Sequence, residues 1–257
     1  MENDKWLKGI REPKWGLRVI LRRYFYKLMG DESFIRWNYF LVFGRWPNLE
    51  HPKRYTEKLQ WLKFHDKHDE FTQLVDKFEV KKYVENLIGN EHIIPTLAVY
   101  NKFEDIDFDV LPNQFVLKTT HDSGGVVICR DKNKFDIEAA REKLTKSLKN
   151  NYFYVGREYP YKGVTPRIIA EKFMVDETGT DLKDYKFFCF DGKCKMLFIA
   201  SERGSGDVKF DFFDPEFNHI PIKTMHPWST KEIKKPAEFN QMIEFAETLS
   251  KGFRHVR

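Results

Sequence analysis

The chain has 257 residues, 41% of them hydrophobic and 16% aromatic, which is enough apolar side chain for a full core, so disorder is not its default state. Lys and Arg exceed Asp and Glu by 5, and the surplus lies in the first thirty residues, where Lys5, Lys8, Arg11, Lys14, Arg18, Arg22, Arg23 and Lys27 face only Glu2, Asp4 and Glu12. The rest is close to neutral, which excludes the whole-protein basic field of a nucleic-acid binder and leaves a local anionic partner for the N-terminus open.

The longest apolar run, Tyr39-Phe40-Leu41-Val42-Phe43, is too short for a signal-peptide core or a membrane span, and the chain reads as cytoplasmic. Cys129, Cys189 and Cys194 are odd in number and lack metal-ligand spacing, which fits a reducing compartment and argues against zinc.

Residues 14–29 place Leu17, Ile20, Leu21, Tyr24 and Leu28 on one helical face, with Arg18, Arg22, Arg23 and Lys27 mostly elsewhere. Such a basic amphipathic helix is either the solvated face of a helix packed on its own domain or a peripheral contact with an anionic membrane. Asn48 to Pro52 is loop-like, and Tyr55, Leu59 and Leu62 then mark a short helix. The spacing of Phe71, Leu74, Val75, Phe78, Val84, Leu87 and Ile88 predicts one helix stopped by Gly89-Asn90, with Lys77 and Lys81 one turn apart on it.

Phe115–Lys118 and Val126–Cys129 read as strands joined by a glycine loop, followed by helix to about Lys149 and a third strand at Arg167–Glu171. A hairpin spans Asp184 to Ile199 with its turn at Asp191-Gly192. A regular two-residue turn sets 189 opposite 194, 188 opposite 195, 187 opposite 196 and 186 opposite 197. One face is then Tyr185, Phe187, Cys189, Cys194, Met196 and Phe198, and the other brings Lys186 diagonally beside Lys195. The last predicted helix runs from Pro236 to Lys251 and stops at Gly252.

Lys118 and the loop His121-Asp122-Ser123-Gly124-Gly125 outline a phosphate cradle: the glycines let backbone N–H groups approach an anion, and Thr119, Thr120 and Ser123 can add hydroxyl donors. His121 can contact a phosphate or simply bond its neighbours. No Gly-Lys-Ser/Thr and no Gly-x-Gly-x-x-Gly is present, so this is neither a Walker-type loop nor a dinucleotide fingerprint, and an ordinary hairpin stands as the alternative. Asp207, Asp211 and Asp214 could ligate Mg2+ or be surface acids, and the metal ligands stay unassigned. Asp105-Ile106-Asp107 and Asp107-Phe108-Asp109 have the spacing of a glycosyltransferase metal grip, or form an acidic loop.

Five stretches in order, Pro52–Lys63, Asp76-Lys77, Phe115–Gly125, Ile168–Phe173 and Asp184–Phe188, resemble the motifs of the ATP-grasp superfamily, and most closely its TupA-like branch of teichuronopeptide and surface-polysaccharide biosynthesis. The resemblance implies an α/β (α+β) fold with two subdomains clasping ATP. After the basic helical segment at 1–50, it implies an N-terminal α/β subdomain at 51–110, a lid subdomain at 111–172 and an incomplete C-terminal subdomain at 173–257. It further implies that Lys77 and Lys118 bind phosphate, that Glu171, Lys172 and Phe173 meet the adenine, and that Asp184 and Lys186 face an acyl substrate.

The implied activity is an ATP- and Mg2+-dependent carboxylate-amine ligase acting on a surface glycan, such as a capsule, or on an amino-acid-bearing precursor. Family members normally continue beyond the region matching Phe253–Arg257 into strands carrying acidic metal ligands, so the expectation includes a truncated form. The alternatives are a nucleotide-binding protein without turnover and a glycosyltransferase of the same pathway.

Overall fold

A computed structural model describes residues 13–175, 182–202 and 207–257. Lys5, Lys8, Arg11, Glu2, Asp4 and Glu12 of the basic segment lie outside the described residues. The chain divides into two compact units, one built from the described residues up to Val80 together with Thr96–Glu171, the other from Lys81–Pro95 and the described residues from Lys172 onward.

The first unit begins with α1 (Pro13–Ile20), continued by a π-helical turn over Leu21–Phe25, and α2 (Asp31–Phe43). Arg18 Nε donates to Asn38 Oδ1 at 3.0 Å, and the buried Arg157 guanidinium reaches the carbonyls of Tyr26 and Met29 and pairs with Asp31 at 2.9 Å. These bonds fix how the helical hairpin is rotated. As a result Leu17, Ile20, Tyr24 and Leu28 are exposed rather than packed on their own domain.

Next come α3 (Tyr55–His65) and α4 (Phe71–Val75). Glu57, buried in the first turn of α3, accepts the N–H groups of Lys53 and Arg54 at 3.2 and 3.1 Å, so the loop entering the helix is satisfied by a carboxylate inside it.

The single helix expected from Phe71 to Ile88 is two, α4 and α5 (Glu79–Ile88). The break follows from Asp76, whose Oδ1 accepts the N–H of Phe78 at 2.8 Å and of Glu79 at 3.2 Å and so caps the second helix. Lys77 therefore sits in the break, and its side chain goes elsewhere than that of Lys81, which donates to the Ile94 carbonyl at 2.8 Å.

Strands β1 (Thr96–Tyr100), β2 (Phe115–Thr119) and β3 (Val126–Cys129) precede α6 (Ile137–Leu148), α7 (Phe153–Gly156) and β4 (Ile168–Lys172). The four strands form one sheet in the order β1-β4-β2-β3. Alternation along β2 buries Phe115, Leu117 and Thr119, and Ala140 and Leu144 of α6 complete a core with Leu111, Ile168 and Ala170. The expected strands and helix of this region are all present.

The second unit holds β5 (Asp184–Phe190), β6 (Lys193–Ser201), β7 (Lys209–Phe213), β8 (His219–Ile220), α8 (Phe239–Ser250) and β9 (His255–Val256). Its sheet runs β8-β7-β6-β5-β9. The β5–β6 turn is where the sequence puts it, with Asp191 and Gly192 at φ 48° and 73°, as a type I′ turn requires.

The register beyond the turn differs from the regular one. Cys189 does face Cys194, but a bulge at Lys195 then sets Phe188 opposite Met196, Phe187 opposite Leu197 and Lys186 opposite Phe198. Lys186 and Lys195 are not diagonal neighbours; Lys186 pairs with Asp184 of its own strand at 2.8 Å. The one-residue slip carries Phe198 to the face of Phe188 and Phe212, while Leu197 and Ile199 pack with Phe213 and Phe239 of α8. Both faces of the sheet are thereby buried, where a regular hairpin gives one core face and one mixed face.

Candidate functional site

The glycine loop joins β2 to β3, and the two glycines serve different physical needs. Gly124 adopts φ +108°, in the region favouring glycine, while a methyl on Gly125 would overlap Thr119 Oγ1 and Ser147 Oγ. The space at Gly125 is occupied by a polar knot: Asp122 accepts hydrogen bonds from the hydroxyls of Thr119 and Ser147, which lie 3.1 Å from each other. Thr119 and Thr120 are fully buried, and Thr120 Oγ1 donates to the Thr165 carbonyl at 3.3 Å. Their hydroxyls hold the loop; Ser123 and Gly124 form its exposed tip.

His121 is also part of the scaffold. Its Nε2 lies 2.9 Å from the Asn150 carbonyl and 3.2 Å from that of Ser147, two acceptors that require the proton on Nε2. The ring is 2% exposed and closes the C-terminal end of α6.

Lys77 reaches this loop from the break between α4 and α5. Its backbone N–H donates to the Thr120 carbonyl at 3.0 Å, and its ammonium donates to the carbonyls of Thr119, at 2.8 Å, and Asp122. Burial pushes the ammonium below the usual lysine range; Asp122 pulls it back up and the nearby Lys118 charge pushes it further down. Lys118, on the half-buried face of β2, forms an ion pair with Glu171 of β4 at 2.6 Å. The residues that the sequence assigned to this loop or its lysines, His121 aside, thus gather in one unit: Lys77, Lys118, Asp122, Ser123, Gly124 and Gly125, with Glu171 beside them.

Arg167 and Ser147 were not legible as parts of this site, and Asp122, read in sequence as a loop residue, proves to be the acceptor that ties the loop to Ser147. Arg167 bridges Asp76 and Glu79, each at 2.8 Å, and lies over the Phe78 ring at 5.0 Å. Burial works against its charge, but the hydrogen bonds to the two carboxylates outweigh it and hold the guanidinium above its usual range. The only signal in sequence was the Asp76-x-x-Glu79 pattern of a helix start. Beside the loop a cleft of about 480 Å³ is lined by Ser123, Asp122, Lys149, Arg22, Lys27 and Tyr26, among others.

The remaining assigned residues belong to the second unit. Lys172 is exposed and donates its N–H to the Pro95 carbonyl at 3.0 Å, and Phe173 is half-buried. Asp184 and Lys186 form their own ion pair.

Among the described residues no group of three or more His, Cys, Asp and Glu is placed to hold a metal ion. Asp211 accepts from the Ser229 N–H at 3.1 Å and lies 3.5 Å from His219, Asp214 takes the N–H groups of Glu216 and Asn218, and Asp207 pairs with Lys209. Asp105, Asp107 and Asp109 are exposed, and Asp107 accepts the Asp109 N–H at 2.9 Å in a local turn. No described helix is long and apolar enough to cross a membrane.

No curated protein and no solved structure matches the chain significantly. A sequence model described as TupA-like ATPgrasp matches residues 57–257, most of the chain and both of the sheets described above. That match covers well over half of the chain and reaches into both α+β units, and the chain belongs to the TupA-like ATP-grasp family.

Proposed function

We propose that the chain binds ATP through Lys77, Lys118 and the tip Ser123-Gly124, and uses it to join a carboxylate to an amine on a surface polysaccharide or its precursor. The observation that carries the reading is Lys77, held against the glycine loop by two carbonyls with Lys118 close enough to depress its proton affinity. An ammonium has three N–H donors, and the loop takes two. A polyphosphate oxygen is a natural acceptor for the third, and it relieves the repulsion between the two lysines.

In the chemistry this family membership suggests, a carboxylate oxygen attacks the γ-phosphorus, the bond to the β-phosphate oxygen breaks, and ADP leaves. The amine nitrogen then attacks the acyl carbon, inorganic phosphate departs with the bonding pair, and the nitrogen gives up a proton as the amide forms. Lys77 and Lys118 orient the phosphates and offset their charge in the first step. Asp184 and Lys186 are assigned to the acyl side by family resemblance. The described carboxylates near the loop do not offer a metal cage, since Glu171 pairs with Lys118, Asp76 with Arg167 and Asp122 with two hydroxyls. We therefore derive no step through Mg2+, which would arrive with the nucleotide. Three buried free thiols suit a reducing, ATP-containing cytoplasm.

The test is calorimetric titration with a non-hydrolysable ATP analogue, with and without Mg2+ and with a UDP-sugar as comparison, followed by assay of ADP release with amine and carboxylate acceptors. Binding of the ATP analogue that Lys118→Ala abolishes supports the reading. Binding without ADP release makes the chain a nucleotide-binding protein without turnover, and preference for the UDP-sugar sinks the ATP site.

A further inference from the structure

The N-terminal helical hairpin is turned inside out for a part of a water-exposed surface. A surface helix ordinarily turns apolar residues inward and charges outward. Here Arg18 faces the neighbouring helix and bonds Asn38, burial lowering its proton affinity, while Leu17, Ile20, Tyr24 and Leu28, spaced three or four residues apart, face solvent. Leu17 is 56% exposed and Leu28 80%. Arg157 fixes this orientation from the other side through the Tyr26 and Met29 carbonyls.

A second apolar group lies beside the start of the same helix. Trp37, Phe40 and Trp46 form one cluster, Phe40 stacked on Trp46 at 4.7 Å and Trp37 edge-on to Trp46 at 5.0 Å, and Trp46 is 52% exposed. The Lys14 ammonium, from the start of α1, lies over the Phe40 ring at 5.7 Å, which places the cluster beside that helix. Val42 and Phe43 are exposed close by in sequence, with Arg45 over Phe43. The segment from Pro13 to Pro47 carries seven Lys and Arg against Asp31 and Glu32.

Leucines and isoleucine for acyl chains, Trp and Tyr for the polar boundary, and a cationic surplus for headgroups make up the combination that an anionic lipid interface recognises. A protein partner would need apolar contact but not this excess of one charge. We propose that the face formed by Leu17, Ile20, Tyr24, Leu28, Trp37 and Trp46 rests on an anionic membrane surface, holding the protein there without crossing it. The segment lies outside residues 57–257 that carry the family match, so this inference is independent of the ATP reading.

The experiment is co-sedimentation of the full chain with vesicles of phosphatidylcholine alone and with added phosphatidylglycerol, at low and high salt, alongside the Leu17→Glu/Leu28→Glu variant. Tryptophan emission and elution volume are recorded for both proteins. We expect at least about tenfold stronger partition onto the anionic vesicles, weakened by salt, with a blue shift of emission, and loss of binding in the variant at unchanged melting temperature. Failure of the unaltered chain to bind, equal binding to neutral vesicles, or full binding by the variant overturns the proposal. A dimer that the variant dissolves, with no vesicle binding, also overturns it by showing that a second copy covers this face.

Discussion

Lys118 Nζ lies 2.6 Å from Glu171 Oε2, so the lysine that we propose meets a phosphate is held by a carboxylate on the neighbouring strand. The pair is lopsided: the Glu171 side chain is almost fully enclosed, whereas a quarter of Lys118 reaches solvent. Lys118→Met should therefore destabilise more than Glu171→Gln, by about 3 kcal/mol against about 1, because the first removes its closest cation from a nearly enclosed carboxylate. Urea denaturation of the two variants measures the difference; equal losses would mean that the pair contributes symmetrically.

The loop glycines are expected to respond differently to alanine. Gly124→Ala meets open space and suffers only its positive φ, a loss of about 1 kcal/mol, whereas Gly125→Ala drives a methyl into the Asp122–Thr119–Ser147 knot and should exceed about 2 kcal/mol. Thermal melts of both variants, with Ser147→Ala as a relieving second change in Gly125→Ala, check the assignment. If Ser147→Ala recovers none of the loss, the knot is not what the methyl strikes.

If Lys77 holds a phosphate as proposed, nucleotide binding should weaken at alkaline pH. Its folded value lies below the 10.5 of a free lysine, so between the two the folded chain binds fewer protons than the unfolded one, and this residue's contribution to stability rises with pH in that window. A bound polyphosphate restores the proton affinity. Binding should accordingly take up a proton, and affinity should fall as pH climbs through the lowered value. Titrations in two buffers of different ionisation enthalpy read the uptake directly, and Lys77→Met should abolish it.

Arg167→Met should leave Asp76, 3% exposed, without its cation. The expected loss is about 3 kcal/mol of stability together with weaker ATP-analogue binding, since Lys77 is anchored next to Asp76. Arg167→Lys should recover part of the stability but not the two-carboxylate bridge. Denaturation and calorimetry on both variants distinguish an organiser of the break from a simple surface charge.

Cys189 and Cys194 face each other across the β5–β6 turn, and the Cys194 thiol lowers Cys189 to about 7 while its own value is pushed up. Cys194→Ala should return Cys189 toward the ordinary thiol range. The ultraviolet thiolate absorbance of the folded protein as a function of pH reports it, and an unchanged titration would mean that the neighbour is not the cause.

Local signals carried most of the fold. The strands beside the loop and the Asp191-Gly192 turn are set by alternation and by residues that tolerate positive φ, both visible within a few positions. The bulge at Lys195 was not, because it arises from the demand of two cores for Phe198 and Leu197 on opposite faces, and only the finished sheet imposes that demand. The lysines and glycines of the loop could be picked out by residue type. Their holders could not, since Arg167 reaches Asp76 across 91 positions and Ser147 reaches Asp122 across 25, distances at which sequence spacing has no period. The helix break at Lys77 lay between: a capping aspartate was written there, but the apolar spacing ran straight through it.

The chain passes between its two units at Val80–Lys81, Pro95–Thr96 and Glu171–Lys172. Lys81–Pro95 belongs with the C-terminal half, where the Tyr83 hydroxyl bonds the Leu249 carbonyl and His92 packs on Phe245. On the ribosome this short stretch emerges long before its partners and must wait, through the whole synthesis of Thr96–Glu171 and beyond, for the helix it packs against. No single cut yields two self-sufficient halves, and a fragment starting at Lys172 would lack one of its own walls.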